Sequence, residues 1–405
     1  MSENLSHSVV TAPAVYRPPS GQSWSDPWPM YRALRDRDPV HHVEDGDYWV
    51  LTRHAHVYAA VRDHETFSSA GGLTTEYGEL ERIGLVDNPP MVMTDPPVHT
   101  DFRKLVSRGF TPRQVESLEP VVTDFVVQRL ERLRANGGGD IVHELFKPLP
   151  SMVVAHYLGV PRADWARFDG WTDAIVAANA QDPSTAPADA TAELMSYFAE
   201  LIEWRRADPG DDTVSHLVAA GQGDDTAGIL RILAFTFTMV AGGNDTTTGL
   251  LGGSVPLLEQ QPAQRSLARQ DLPAAVEELL RLTSPVQALA RMTTRDVEIA
   301  GVTIPAGRKV LMAYGAANRD DRVYGPTAED LDVTRNPRHI LTFSHGAHHC
   351  LGAAAARMVG RIALGEFLAR IPEFEIDHER IVWAPGNYVR RPLSVPIAVV
   401  DRGRG

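Results

Sequence analysis

Cysteine is nearly absent from this 405-residue chain: Cys350 stands alone. That excludes an internal disulfide framework and any metal site built from four thiolates. Positive charge is also short. Lys and Arg number 39 against 52 Asp and Glu, a formal net charge of -13. An acidic surface argues against nucleic acid or an anionic membrane as the main partner. No apolar run follows a basic start, so an export signal is not expected, and Met1 to Ser20 reads as a flexible polar arm. Long uninterrupted apolar runs are missing too. The best candidate, Ile232 to Leu258, is interrupted by Asn244, Asp245 and several glycines, and Pro256 breaks its end. A bilayer span needs about 20 mostly apolar residues. The segment is therefore expected to be a core helix of a cytoplasmic protein with no membrane anchor. Nor is there a Gly-rich strand-turn-helix fingerprint of the kind that binds a flavin or nicotinamide dinucleotide.

What is present is apolar mass and helical periodicity. Hydrophobic residues make up 43% of the chain, enough for a large core, and length alone would suggest two or three ordinary domains. Asp45-Gly46-Asp47 separates two strand-like runs within Val40 to Thr52, a hairpin signal. His54 to Phe67 reads as helix. Ser68 to Pro97 is a long loop rich in Gly, Pro and Thr, and loops of this length in compact domains are often functional. Helices dominate from Val98 to Gly221. Thr226 to Leu258 reads as one helix of roughly 30 residues, against a usual ~10–14. Leu272 to Leu282 is a shorter helix, Gln287 to Tyr314 turns to strands, Leu351 to Ile371 is helical, and the tail forms short strands. With no clean linker, residues 21–405 are expected to form one mainly α domain with a small β part.

The lone cysteine sits in Phe343-Ser344-His345-Gly346-Ala347-His348-His349-Cys350-Leu351-Gly352, just before a helix start. Unpaired N–H groups and the helix dipole favour a thiolate there. Gly346 and Gly352 allow a tight turn and close approach of a flat partner, and Phe343 is placed to shield the sulfur. Such a thiolate is a known axial haem ligand. A buried structural thiol is the plain alternative. Zinc on His345, His348, His349 and Cys350 is disfavoured, because adjacent residues rarely converge on one tetrahedral centre.

Gly242-Gly243-Asn244-Asp245-Thr246-Thr247 lies in the middle of the long helix. Two glycines weaken a helix, and a Thr246 hydroxyl can bond back to Gly242, opening a local groove beside the ionisable Asp245. The plain alternative is a packing notch for a crossing helix. Glu278 and Arg281 share a helix face three residues apart, as do His99 and Arg103 four apart. Arg is well suited to carboxylates such as haem propionates.

Taken together, these stretches resemble the cytochrome P-450 family. Phe343, Gly346, Cys350 and Gly352 match its haem-binding signature, with Ser344 where Gly is more common. The acid-Thr pair resembles its oxygen-binding helix, with Gly242 where Ala is usual. Glu278 and Arg281 match its Glu-x-x-Arg element, and Asp95 to Arg103 its propionate-binding helix. The chain looks closest to an actinobacterial, mycobacterial-type branch of soluble members. The resemblance implies haem b lying between the long central helix and the helix after the cysteine loop, with Cys350 as the iron ligand. It implies propionate contacts from His99, Arg103, Arg291 and His348, and Gly243 near the oxygen site. Asp245 and Thr246 would relay protons. Glu278 and Arg281 would support the cysteine loop, with Arg335 or Arg338 as third member.

The family's activity implies insertion of one oxygen atom of O2 into a hydrophobic small molecule. Electrons would come from an external ferredoxin and ferredoxin reductase, with Arg108, Arg113 and Arg357 as docking candidates. Azole inhibitors would bind the iron through a nitrogen. Pocket candidates are Leu73, Tyr77, Ile83, Val92 and Met93 from the loop, Ile175, Val176 and Asn179 from a lid helix, Phe237 and Val240 from the long helix, and Leu289, Tyr388 and Val389. A peroxide-driven or rearranging haem-thiolate enzyme and a non-catalytic haem ligand-binding or sensor protein are the alternatives.

Overall fold

The expected hairpin forms: Val40–Val43 pairs antiparallel with Tyr48–Leu51, Val40 opposite Leu51. In the computed structural model, which describes residues 14–181 and 188–400, this hairpin is one edge of a five-stranded sheet. Lys309–Met312 adds in parallel to Tyr48–Leu51, then Leu289–Thr293 and the short Phe67–Ser68 follow antiparallel. The other strands form small two- and three-stranded sheets.

Helices supply the rest. The helix Thr226–Gln260 is the axis of the fold and packs against Pro148–Leu158, Leu272–Thr283 and Ala353–Arg370. Pro112–Ala135 lies along Ala353–Arg370. Its Leu118, Val122, Val126 and Leu130 recur every four residues and are fully buried, the stripe that a core-facing helix requires. Burial of one such side chain stabilises by about 1.5–3 kcal/mol. The central helix is long and apolar enough to pass a membrane-span test by composition, yet Leu250, Leu251, Val255 and Leu258 lie in the protein core.

Three expectations shift. The helix expected over His54 to Phe67 stops at Ala60. Asp63 then accepts from the Thr66 N–H at 3.0 Å, a local turn that competes with helix and delivers Phe67 to the sheet. Pro256 does not end the central helix, which runs to Gln260. Buried Val255 and Leu258 flank it and hold the helix through the missing N–H. The arm boundary at residue 20 moves earlier: Tyr16 is buried with Tyr31 and Tyr48.

Candidate active site

The cysteine loop is a constrained turn. Ser344 (φ 55) and Gly346 (φ 72) both adopt left-handed backbone. A Cβ at Gly346 would lie 2.8 Å from the Val61 carbonyl, so the turn rests directly on neighbouring backbone and only Gly fits. Ser344 takes its conformation at a cost, since a side chain there crowds the following carbonyl. The Cys350 N–H closes the turn by donating to Phe343 O at 2.8 Å. Gly352 caps the helix that follows. Burial pushes the Cys350 thiol up, opposed by the Gly352 N–H and by the Arg103 and Arg357 guanidiniums. Cys350 nevertheless keeps an accessible surface. The residue is thus surrounded by protein but not sealed, which leaves room for a partner group beside it.

The neighbours of Cys350 diverge instead of gathering round a metal. His345 Nε2 lies 3.1 Å from Ile340 O, and His348 Nε2 lies 3.0 Å from Ser69 Oγ. Leu351 packs into the cluster containing Phe235, Met239 and Val240 of the central helix, so the cysteine loop and that helix face one another.

In the central helix Thr246 Oγ1 donates to Gly242 O at 2.8 Å, the back-bond expected from the sequence. A Cβ on Gly242 would meet no protein atom within 4 Å, whereas one on Gly243 would lie 2.7 Å from Val154 Cγ2. Gly243 is therefore the notch for a crossing helix, and Gly242 is the open position. Asp245 pairs with Arg391, Nε to Oδ1 at 2.8 Å. Burial raises the carboxyl of Asp245, with Arg391 and then Lys147 opposing.

His99, Arg103, Arg291 and His348 come together. The rings of His99 and His348 lie 4.1 Å apart. Burial, then Arg291, His99 and Arg103, holds His348 down at about 3. His99 is lowered by burial and Arg103. Arg291 donates to Ala290 O and Arg103 to His349 O. Among the described residues neither guanidinium has a carboxylate ion-pair partner, and both ring nitrogens of buried His99 lack any hydrogen-bond partner. Orphaned buried polar groups carry a penalty of about 1–3 kcal/mol each, so His99 lacks a partner that an anion beside the two guanidiniums could supply. Two carboxylates on a flat group beside an accessible sulfur fit this cluster, and a haem held by a thiolate has that shape.

Behind the loop Glu278 and Arg281 form a two-pronged pair, both contacts at 2.7 Å and both side chains 0% exposed. Arg335 Nε is the third member, 3.1 Å from Glu278 Oε1; among the described residues no such contact involves Arg338. Asn318, which the sequence reading missed, completes the support. Its carbonyl accepts from Arg281, its Oδ1 accepts from Leu341 N at 2.7 Å, and its Nδ2 donates to Thr342 Oγ1 at 3.0 Å. The segment leading into Phe343 is thereby fixed.

The pocket candidates separate. Leu73, Val92, Met93, Phe237, Leu289 and Val389 are half-buried. Val240 points into the core. Tyr77 and Ile83 are exposed, and the Tyr77 hydroxyl donates to Asp47 O at 2.6 Å. Ile175, Val176 and Asn179 are on the Trp165–Gln181 helix, but their side chains lie outside the described residues. Of the docking candidates, Arg357 is paired with Glu277 and stacks on Phe343. Lys309 and Glu79, both missed, brace the loop. Lys309 is 0% exposed and donates to Gly71 O and Thr74 O; Glu79 accepts from Leu73 N, Thr74 N and Thr74 Oγ1. The visible signal was a Lys opening an otherwise apolar strand.

The comparisons with known proteins agree with this class of site. Residues 259–383 match the family model for cytochrome P-450. The chain is 68% identical over 412 residues to Cytochrome P-450 130 of Mycobacterium tuberculosis, covering 99% of this chain and 100% of that one. It is 36% identical to the vitamin D(3) 25-hydroxylase of Pseudonocardia autotrophica, covering 95% and 96%. A solved Mycobacterium marinum relative in complex with pseudoionone superposes with TM-score 0.83 at 33% identity, covering 93% of this chain and 96% of that one. The chain belongs to the cytochrome P-450 family, whose members are haem b monooxygenases of this single-domain fold.

Proposed function

We propose that this chain inserts one atom of dioxygen into a hydrophobic small molecule in the cytoplasm. Its electrons come from a separate ferredoxin and ferredoxin reductase. The observation that carries the reading is Cys350, surrounded by protein yet left with exposed surface, near His99, Arg103, Arg291 and His348, none of which has a carboxylate ion-pair partner among the described residues. Bound haem supplies the oxygen-activating chemistry, and a thiolate ligand favours O–O cleavage.

The chain's own residues do the rest. Cys350 would hold the iron, on the turn that Asn318 and the Glu278–Arg281–Arg335 network fix. His99, Arg103, Arg291 and His348 would receive the propionates. Thr246, tied to Gly242 O, presents its hydroxyl at the open position of the helix, and Asp245 is the ionisable group next to it for moving protons inward. Leu73, Val92, Met93, Phe237, Leu289 and Val389 offer an apolar, half-buried wall that excludes water from the reacting C–H bond. The relatives named for vitamin D(3) hydroxylation and for a pseudoionone complex support a hydrophobic substrate.

The test is a spectral titration of the purified ferric holoenzyme. An apolar compound library and an azole are each expected to shift the Soret band, in opposite directions. A hit incubated with a ferredoxin, its reductase and NADPH is expected to yield a hydroxylated product. No shift with any compound, azole included, would refute an accessible haem. Turnover with peroxide alone would favour the reductase-independent alternative.

A further inference from the structure

Asp245 is held from the far end of the chain. Its partner Arg391 precedes the Pro392–Ser394 strand, and the two side chains are 19% and 7% exposed. The residues before Arg391 are fastened to the Pro285–Gln287 backbone. Gln287 N donates to Tyr388 O and Arg390 N donates to Pro285 O, both at 2.7 Å, while Val389 forms a β-bridge with Val286. On the other side this segment lies against the central helix with no space between. A Cβ on Gly249 would be 2.8 Å from Arg390 O and 2.9 Å from Pro285 Cβ. Tyr388–Arg391 is therefore a short, rigid piece of backbone.

Its first residue reaches the long loop. The Tyr388 hydroxyl accepts from Thr75 N at 3.1 Å and lies 3.3 Å from Thr75 Oγ1. The stretch of loop just before Thr75 is clamped as well. Lys309 Nζ donates to Gly71 O at 2.6 Å and Thr74 O at 2.9 Å, and Glu79 Oε2 takes two backbone N–H groups and one hydroxyl at 2.8–2.9 Å. One tetrapeptide thus touches the substrate loop with its first side chain and the acid of the central helix with its last.

We propose that Tyr388–Arg391 is a mechanical link by which closure of the Leu73–Tyr77 loop holds Asp245 in place, with Arg391 as the positioning residue. This rests on the reading of Asp245 as a proton carrier. With the loop closed, Tyr388 is held, the segment stays seated, and Arg391 keeps the carboxylate in one orientation beside Thr246. With the loop open, Thr75 releases Tyr388, the segment shifts as one piece, and Arg391 no longer holds Asp245 in the same orientation. Proton supply is then matched to substrate enclosure. Oxygen reduced while the loop is open takes two electrons from the ferredoxin and two protons from solvent, and leaves as hydrogen peroxide instead of entering a substrate.

The experiment uses the ferric holoenzyme and two readouts that need no substrate. One is amide hydrogen exchange across residues 73–77. The other is the infrared carboxylate band that Asp245→Asn removes. Tyr388→Phe deletes one hydrogen bond to the loop and is expected to speed exchange at Thr75 about fivefold. It is also expected to shift the Asp245 band, though the deleted hydroxyl has no contact with Asp245. Arg391→Gln is expected to shift the band further and to speed loop exchange in turn; Arg391→Lys, which keeps the charge, restores part of the band position. A Tyr388→Phe band identical to wild type, or loop exchange untouched by Arg391→Gln, overturns the link. Failure of the haem reading would show separately, as a Soret spectrum that does not report sulfur on iron, and in neither of these two readouts.

Discussion

Two groups of buried charge sit on opposite sides of the cysteine loop, and they are built differently. Behind the loop, Glu278, Arg281 and Arg335 satisfy one another, and the spare guanidinium N–H groups go to the carbonyls of Asn318, Ala328 and Tyr324. In front of it, Arg103, Arg291, His99 and His348 gather positive and polar groups with no carboxylate ion pair among the described residues, and neither ring nitrogen of His99 has a hydrogen-bond partner there. A closed network holds a fold together whatever is bound. An open one is a demand that something else must meet. The contrast explains why a buried ion pair alone is weak evidence for function, while buried cations without carboxylate partners are stronger evidence for an anionic ligand.

Substitutions can break this comparison at either end. The largest effect is expected behind the loop. Glu278→Ala leaves Arg281 and Arg335 without their carboxylate in the core, and stability is expected to fall by about 3–5 kcal/mol, read by denaturant unfolding. Haem content should fall only because the fold does. In front of the loop the order reverses. Arg291→Ala removes a cation without a carboxylate partner, so the apoprotein should unfold at the same denaturant concentration or a higher one. Haem affinity should drop by about 10- to 100-fold, the worth of one charged hydrogen bond of ~1.5–3 kcal/mol, measured by haem transfer to a competing apoprotein. Equal loss of apoprotein stability in both variants would erase the distinction.

The same contrast recurs on a smaller scale in the central helix. Gly243 faces protein, and Gly243→Ala brings a methyl to 2.7 Å from Val154 Cγ2. It is expected to cost about 1–2 kcal/mol in overpacking. Gly242 faces open space, so Gly242→Ala is expected to raise apoprotein stability by up to ~1 kcal/mol through helix propensity. Thermal unfolding of the pair of apoprotein variants checks both signs.

What the sequence made legible follows from how local each signal is. The hairpin at Asp45-Gly46-Asp47, the long helix, and the helix after Cys350 depend on turn residues and periodicity within a few positions, and all three are present. The back-bond from Thr246 to Gly242 is four residues long and was readable for the same reason. The choice of Arg335 over Arg338 was not, because the stretch that carries them is irregular and only tertiary packing aims their side chains. Nor was it readable that Gly242, not Gly243, is the open one: that depends on where the Pro148–Leu158 helix crosses. Arg391 reaches Asp245 across more than a third of the chain, and Lys309 reaches a loop more than two hundred residues earlier. No spacing rule connects such pairs.

The central claim is that the sulfur of Cys350 binds the haem iron, and the Soret band of the ferrous carbonyl complex tests it most directly. The wild-type holoenzyme is expected to show the red-shifted band of a thiolate ligand. Cys350→His is expected to keep haem, through the untouched propionate cluster, with the band moved to the shorter wavelength of an imidazole ligand. A wild-type band already at the imidazole position, or a thiolate-type band that survives the replacement, would contradict the account.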